Sequence, residues 1–218
     1  MDWFAPIDAY CERTSGAFWA EPVNALSNVA FLVAAALAFR LWRRRAKIEG
    51  GDRATLALIA LVAVIGIGSF LFHTFADQWS VLADVIPIAI FIYGYFALAL
   101  RRFVELGRGA SALGTLAFAL GGQALAPLAE PWMGSSAAYI PALAALFGLG
   151  TLLTARGHPA ARALLGAGGV FAVSLTLRTL DSPLCAAVPL GLHFLWHVLN
   201  ATVLGILLVG AIHAPRRA

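Results

Sequence analysis

The sequence predicts an all-α integral membrane protein, a bundle of seven transmembrane helices with the N-terminus outside and the C-terminus in the cytoplasm. Three observations support this prediction. The 218-residue chain is 61% hydrophobic and only 12% charged, with a mean hydropathy of +0.85, whereas a soluble domain carries about 25% charged residues. Short polar or Gly/Pro-rich breaks divide the chain into stretches long enough to cross a bilayer. The basic residues are concentrated in alternate breaks.

Each predicted span is a stretch of about 20 mostly apolar residues, the length that crosses the hydrocarbon core as a helix. The first begins at Pro22, which suits a first helical turn because its missing N–H would be unpaired there. The fourth and fifth are rich in Ala and Gly, and small residues let helices approach closely. No internal repeat and no soluble second domain is evident, so we treat residues 1–218 as one domain, with 1–21 as an outer N-terminal segment. The seven predicted spans are 22–42, 54–75, 79–100, 111–128, 137–154, 161–178 and 187–211.

Lysine and arginine set the predicted orientation, because cytoplasmic loops carry an excess of them. Of the 15 basic residues, only Arg13 and Arg178 fall outside the alternate loops and the C-terminal tail. We therefore place the basic side in the cytoplasm, and the pI near 9.6 reflects topology rather than nucleic-acid binding. The compact Ala- and Arg-rich chain is typical of a bacterial protein, for which this predicts the inner membrane with the opposite face toward the periplasm. The residues of the basic side are Arg40, Arg43, Arg44, Arg45, Lys47, Arg53, Arg101, Arg102, Arg108, Arg156, Arg162, Arg216 and Arg217.

Ionisable groups gather near one depth at the outer side of three predicted spans. His73, Asp77 and Asp84 lie at the outer ends of spans two and three, and His193 and His197 lie about two to three turns into span seven. Ionisable residues inside membrane segments are functional-site candidates because their burial is costly. The two histidines of span seven share a helical face at i and i+4, a spacing that lets two imidazoles bind one metal ion; hydrogen-bonded or membrane-interface histidines are the alternative. With His73 the set becomes three imidazoles and an open position, the form of a catalytic zinc site.

Two further side chains are candidates for the chemistry of this site. Ser69 precedes His73 by four residues and could donate to an oxyanion beside the metal; the alternative is that its hydroxyl only bonds the carbonyl four residues earlier. Asp84 could take a proton from water and pass it to a leaving amine, or it could orient a histidine N–H. We expect Asp77 to be a solvated or capping residue and Asp181, before span seven, to be structural or to orient a ligand.

Three sequence blocks, 11–28, 68–84 and 181–197, together resemble the alkaline ceramidase family. Its members are seven-span zinc amidohydrolases within a wider group of membrane hydrolases that includes the adiponectin-receptor-type proteins. The family pattern of Ser, His four residues later and Asp eleven residues after that matches this chain, and so does a final His-x-x-x-His. The resemblance implies that three histidines hold zinc, that one aspartate activates water and that the serine stabilises the oxyanion. The matching residues are Ser69, His73, Asp84, His193 and His197.

The N-terminal block carries two further expectations. The resemblance implies a disulfide between Cys11 and Cys185, which would hold the N-terminal segment against the last outer loop. In the eukaryotic members this segment also binds calcium through acidic and amide side chains, but here Ala9 and Thr14 replace two positions of that pattern. Calcium takes six to eight oxygen ligands, so the sequence does not decide between a calcium site and none. The candidate calcium ligands are Asp8, Glu12 and Glu21.

The resemblance implies a zinc-dependent hydrolase that cleaves the amide bond of ceramide, or of a similar N-acyl lipid, into a fatty acid and a sphingoid base or amine. A membrane lipid is the expected partner, and neither nucleic acid nor a protein partner is expected. A heptahelical receptor of the adiponectin-receptor type and a metal transporter are the alternatives. A transporter would place polar groups near the midplane and along both halves of its path, whereas these cluster in the outer half. A retinal protein is excluded, since the only lysine, Lys47, lies in a predicted loop.

Overall fold

The regular secondary structure is entirely helical in residues 2–214, the part of the chain that the computed structural model describes. The eight α-helices of this part are α1 (Pro22–Ser27), α2 (Val29–Glu49), α3 (Arg53–Phe75), α4 (Gln78–Arg102), α5 (Arg108–Met133), α6 (Ile140–Ala155), α7 (Ala161–Leu180) and α8 (His193–His213). Short 3-10 helices occupy Gly134–Tyr139 and Ser182–Leu184. Arg216 and Arg217, which contribute to the predicted orientation, lie outside the described residues.

Six segments in this range are long and apolar enough to cross a membrane, whereas the sequence predicted seven spans. The difference is confined to the predicted spans 111–128 and 137–154, which fall within one apolar segment of 48 residues, Arg108–Ala155. This segment contains α5, a 3-10 helix and α6. α5 ends at Met133, and the residue after it, Gly134, has a φ of +52°, a conformation that glycine adopts readily. The other five segments are Pro22–Ile48, Arg53–Phe75, Gln78–Arg102, Ala161–Leu180 and His193–His213.

The last helix begins later than the sequence predicted. The predicted span is 187–211, but α8 begins at His193, and the residues before it form turns. Pro189 disfavours a helix at this place. Gly191 has a φ of +72°, and a side chain there would meet Asp181. His193 is therefore the first residue of its helix, and the prediction that it lies two to three turns inside is wrong.

Helices α3 and α8 form the centre of the bundle, with half of the residues in each membrane segment buried. α8 packs against α2, α3 and α7, and α3 packs against α2 and α4. Gly68 lets α3 and α4 approach closely, since a Cβ atom there would overlap the Ala83 carbonyl. The core includes Val62 of α3, Leu153 of α6, Leu164 of α7 and Leu208 of α8, each at most 1% exposed. This packing turns the histidines of α3 and α8 toward the same interior.

The N-terminal segment, residues 2–21, lies across the ends of α3 and α8. Cys11 and Cys185 form a disulfide with Cα atoms 5.1 Å apart, so the implied pairing is confirmed. Near the end of α3, the Ile7 N–H donates to the Ala76 carbonyl at 2.7 Å. The segment therefore covers the end of the bundle at which the three histidines lie.

Asp77 caps the start of α4. Its side chain accepts from the Ser80 N–H at 3.0 Å, and the Ser80 hydroxyl accepts from the Asp77 N–H at 3.0 Å. This reciprocal capping box satisfies two N–H groups of the first turn. Asp77 is only 8% exposed, so it is a capping residue and the solvated alternative is wrong.

Candidate metal centre

Three buried histidines from two helices converge at the covered end of the bundle. His73 lies in the last turn of α3, and His193 and His197 occupy the first two turns of α8; each is at most 2% exposed. One nitrogen from each ring lies within 4.8 Å of the other two. Nε2 of His73 is 3.1 Å from Nε2 of His197. The cluster could hold a metal ion, and it is the one group of this kind among residues 2–214.

The imidazole rings of His73 and His197 are oriented by hydrogen bonds at Nδ1, and in each ring Nε2 then faces the other histidine. The Glu21 Oε2 atom lies 2.6 Å from His73 Nδ1, and the Ser27 hydroxyl lies 2.7 Å from His197 Nδ1. The Ser27 hydroxyl donates its own proton to the Asn24 carbonyl at 2.7 Å, so it accepts from His197. We therefore assign both ring protons to Nδ1, which leaves the two Nε2 lone pairs facing each other. A metal ion satisfies such a pair, and ligating histidines commonly donate their other N–H in this way.

His193 is positioned by a hydrogen bond from its backbone N–H and by an aromatic ring that stacks on its imidazole. Asp181 Oδ1 accepts from the N–H groups of Leu192 and His193 at 2.5 and 2.9 Å, and so caps the start of α8. The Tyr10 ring stacks on the imidazole with centroids 3.6 Å apart. His193 Nδ1 is buried and has no hydrogen-bond partner in the described part of the chain, which is costly unless a ligand satisfies it. The donor set fits a metal ion, and Asp181 is a structural residue that positions one of the donors.

Ser69 and Asp84 lie beside the histidines on the facing helices α3 and α4. Both side chains line the same cavity as His197. Ser69 and Asp84 are neighbours in this cavity. Asp84 Oδ1 is buried and has no hydrogen-bond partner within residues 2–214, so it can accept a proton from a bound molecule. The close approach of the two helices at Gly68 is what brings this pair together.

An apolar cavity extends from Asp84 and His197 into the bundle. Its walls come from most of the long helices, so that it lies along the bundle interior. Aromatic and aliphatic side chains dominate these walls, including Phe31, Phe91, Leu149, Phe171 and Leu204. The polar groups of the site therefore stand at one end of a long apolar slot.

Three residues around the cluster were not predicted as site residues. Tyr10 covers the His193 ring, and no spacing motif in the sequence marks it. Arg13 and Arg178 are the two basic residues outside the predicted cytoplasmic loops, and that isolation was the one available signal. Arg13 Nη2 donates to the His73 carbonyl at 3.1 Å, and Arg178 lies in the same cavity as His193.

The acidic residues of the N-terminal segment do not fit a calcium site. Glu12 accepts from two backbone N–H groups at the start of α1, at 2.7 and 2.8 Å. Glu21 binds Arg13 and His73; burial raises the pKa of Glu21, but the hydrogen bonds from His73 and Arg13 outweigh burial and lower it. Asp8 is exposed and forms no metal-ligand group with the other two in the described range. The carboxylates of Glu12 and Glu21 thus already accept hydrogen bonds from donors of the protein.

Comparison with known proteins places these residues in a family. No curated protein matches the chain. A family model described as Ceramidase matches residues 7–155, which is more than two thirds of the chain. This range contains Ser69, His73 and Asp84, whereas His193 and His197 lie beyond it and are brought to the same site by the fold. The chain belongs to the ceramidase family.

Proposed function

We propose that the protein is a zinc-dependent membrane amidohydrolase that cleaves ceramide, or a similar N-acyl lipid, to a free fatty acid and a sphingoid base or amine. Membership of the ceramidase family implies amide hydrolysis on a lipid. The observation that carries the proposal is the convergence of three imidazole nitrogens within 4.8 Å, beside Ser69 and Asp84, at one end of an apolar cavity. Three imidazoles with an open position are a ligand set of catalytic zinc sites.

The side chains of the site divide the hydrolysis between them. His73, His193 and His197 would hold the zinc ion, which would provide Lewis-acid chemistry at a carbonyl and at water. Asp84 accepts a proton at Oδ1 from the attacking water and returns it to the leaving nitrogen. The Ser69 hydroxyl donates to the oxyanion that forms on the amide carbonyl. The water oxygen remains in the fatty acid and the C–N bond breaks, so a carboxylate and an amine are released.

The apolar cavity provides a place for the acyl chain. Its walls are mainly aromatic and aliphatic, with Phe91 and Leu204 among them, and so match the chemistry of an acyl chain. Because the polar end of the cavity is formed by Asp84 and His197, an acyl chain in the slot leaves its amide at the histidine cluster. The arrangement selects a lipid with an amide at the end of a long apolar chain.

We also propose that the chain is one domain that crosses the membrane seven times, with its N-terminus outside. A straight helix of 48 residues would measure about 72 Å at 1.5 Å per residue, more than twice the thickness of the hydrocarbon core. We therefore assign two crossings, α5 and α6, to Arg108–Ala155. The arginine distribution then puts the histidine cluster on the outer side, which in a bacterial inner membrane is the periplasmic face.

The hydrolase is tested by metal analysis and hydrolysis on the detergent-solubilised protein. We expect about one zinc ion per chain and release of fatty acid in a mass-spectrometric screen of N-acyl lipids. His193→Ala should lose both zinc and hydrolysis, whereas His213→Ala, an exposed histidine at the other end of α8, should keep both. Asp84→Asn should keep the zinc and lose about 10²–10⁴-fold in rate. Zinc-free wild type that still hydrolyses ceramide would overturn the mechanism.

A further inference from the structure

Arg178 places a positive charge beside the histidine cluster. It lies in the last turn of α7, and its guanidinium carbon is 5.3 Å from the Trp196 ring centroid and 5.5 Å from that of Tyr139. The side chain lines the same cavity as Asp84 and His193. The cation therefore faces the space in which an amide lipid would react.

The groups that hold this guanidinium are neutral. Arg178 Nη1 donates to the hydroxyls of Ser135 and Ser136, both at 2.9 Å, and the Tyr10 phenol lies beside it. Within residues 2–214, no carboxylate oxygen lies within 4.0 Å of its nitrogens. Asp84 acts on it only at longer range. The positive charge of Arg178 has no ion-pair partner in the described part of the chain.

Such a cation is suited to binding an anion. Charge in or near a membrane segment is costly unless it is paired or hydrated, and the two aromatic rings offset only part of this cost. An arginine that merely reached the interfacial water would point away from the cavity, but the serines and rings hold Arg178 on the cavity side. Ser135, Ser136 and Tyr10 use at most three of its five N–H donors. A planar guanidinium pairs most favourably with a carboxylate, through two parallel hydrogen bonds.

We propose that Arg178 is an anion-binding residue of the active-site cavity and that its ligand is a carboxylate. The inference rests on the proposed hydrolase function and narrows its substrate class to N-acyl lipids with a carboxylate headgroup, such as an N-acyl amino acid, in preference to neutral ceramide. The fatty acid that is released offers the same chemistry. A headgroup carboxylate would make Arg178 a residue of substrate selection, and a product carboxylate would make it a residue that retains the fatty acid.

A matched pair of substrates shows whether Arg178 binds the carboxylate of the headgroup or that of the released fatty acid. N-oleoylglycine and N-oleoylethanolamine share the acyl chain and the amide, and they differ only in a carboxylate or a hydroxymethyl group at the headgroup. We would measure kcat/KM for both lipids, and inhibition by free oleate, with wild type and Arg178→Gln. Arg178→Lys keeps the charge without the planar pair of donors. Arg44→Gln, at an exposed position of α2, controls for the loss of one positive charge.

The two sources give different results. If the headgroup is the ligand, Arg178→Gln lowers kcat/KM for N-oleoylglycine about tenfold to a hundredfold, mainly through KM, and leaves N-oleoylethanolamine unchanged. If the fatty acid is the ligand, both kcat/KM values stay unchanged and inhibition by oleate weakens by a similar factor. The inference would be overturned if Arg178→Gln left oleate inhibition unchanged and either changed kcat/KM equally for the two lipids or did not change it for either.

Binding without turnover distinguishes a failure of this inference from a failure of the proposed function. Equilibrium binding of radiolabelled N-oleoylglycine and oleate is measured for the same variants, after thermal unfolding has established that each is folded. A protein that hydrolyses neither these two lipids nor ceramide, but binds either anion through Arg178, contradicts the hydrolase and supports the anion site. Hydrolysis of both lipids, with kinetics and binding independent of Arg178, keeps the hydrolase and removes the anion site.

Discussion

Arg13 and Glu21 hold both the backbone and the ring of one histidine of the cluster. Arg13 donates from Nη2 to the His73 carbonyl at 3.1 Å and from Nε to Glu21 Oε1 at 2.5 Å. The other carboxylate oxygen of Glu21 accepts from His73 Nδ1 at 2.6 Å. Arg13 is 8% exposed and Glu21 is 2% exposed, so removal of one partner leaves a buried charge uncompensated. The charge of Glu21 is thus balanced by a side chain of the protein and needs no divalent ion.

We expect Arg13→Gln to weaken zinc binding about tenfold to a hundredfold, the usual cost of losing a group that orients a metal ligand. The variant leaves the Glu21 charge without its cation and removes the hydrogen bond at the His73 carbonyl. Zinc affinity is measured by competition with a chromogenic chelator, with Arg44→Gln as the matched control. Unchanged affinity in Arg13→Gln would mean that Arg13 does not position His73.

The same contacts give an expectation for calcium. Since Arg13 already balances Glu21, a calcium-selective chelator should leave the Tm of the wild-type protein unchanged. A Tm that falls with the chelator and recovers with added calcium would contradict the role given to Arg13.

At the residue scale, the sequence could predict which side chains of the site lie side by side only where those residues are close along the chain. Residues four apart lie on one face of a helix whatever the tertiary structure, and this is why Ser69 could be placed beside His73, and His193 beside His197. The partners of Arg13 could not be predicted in the same way. One of them, the His73 carbonyl, is 60 residues away and is reached only because the N-terminal segment folds back over the bundle.

At the scale of elements, the helix pair α3–α4 carries Ser69 and Asp84 at one end and is joined by an ion pair at the other. Asp52 caps α3 and bonds Arg102, in the last turn of α4, at 2.5 and 2.6 Å. Thr55 also donates to it. Burial raises the pKa of Asp52, but the hydrogen bonds from Arg102 and Thr55 outweigh burial and lower it to about 2. The pair therefore stabilises the hairpin that brings Ser69 to Asp84.

We expect Asp52→Asn to lower the free energy of unfolding by about 2 kcal/mol near neutral pH. The pKa of the folded state, about 2, lies below the ordinary 3.8, so the stabilisation is fully present above pH 3.8 and is lost as the pH falls through about 2. The difference between wild type and variant should therefore shrink between about pH 4 and pH 2. Thermal unfolding across this range measures it, with Asp8→Asn as an exposed control. A difference that persists unchanged at the acidic end would exclude the ion pair as its source.

The start of α8 marks where element prediction from hydropathy is insufficient. Residues 187–192 are apolar and continuous in composition with the helix that follows, although Pro189 and Gly191 were a visible sign of a break. The turn is fixed by Asp181, whose carboxylate accepts the N–H groups of Leu192 and His193. Hydropathy cannot reveal a cap supplied from a neighbouring loop, so the depth predicted for His193 was wrong.

At the scale of the whole molecule, the topology depends on the segment Arg108–Ala155. Residues 109–155 contain a single charged residue, Glu130, so the break predicted between the spans 111–128 and 137–154 rests on Pro, Gly and Ser rather than on charge. The contacts of the helices agree with a break at this place: α5 packs against α4, and α6 packs against α7. Between them, Ser135 and Ser136 bond Arg178 at the end of α7. The connection between α5 and α6 therefore lies at the end of the bundle that carries the histidine cluster.

We expect this segment to cross the membrane twice and to turn on the side of the N-terminus. Single cysteines can report this, because Cys11 and Cys185 are joined in a disulfide and do not react with a maleimide. Trp132→Cys, at a position 80% exposed near the turn, should react with a membrane-impermeant maleimide in intact cells. Gly107→Cys and His158→Cys, on either side of the segment, should react only after permeabilisation. If only one of these two cysteines reacted in intact cells, the ends of the segment would lie on opposite sides of the membrane and the segment would cross it only once. Reaction of both cysteines in intact cells, without that of Trp132→Cys, would keep two crossings and reverse the orientation, because the basic loops would then lie outside.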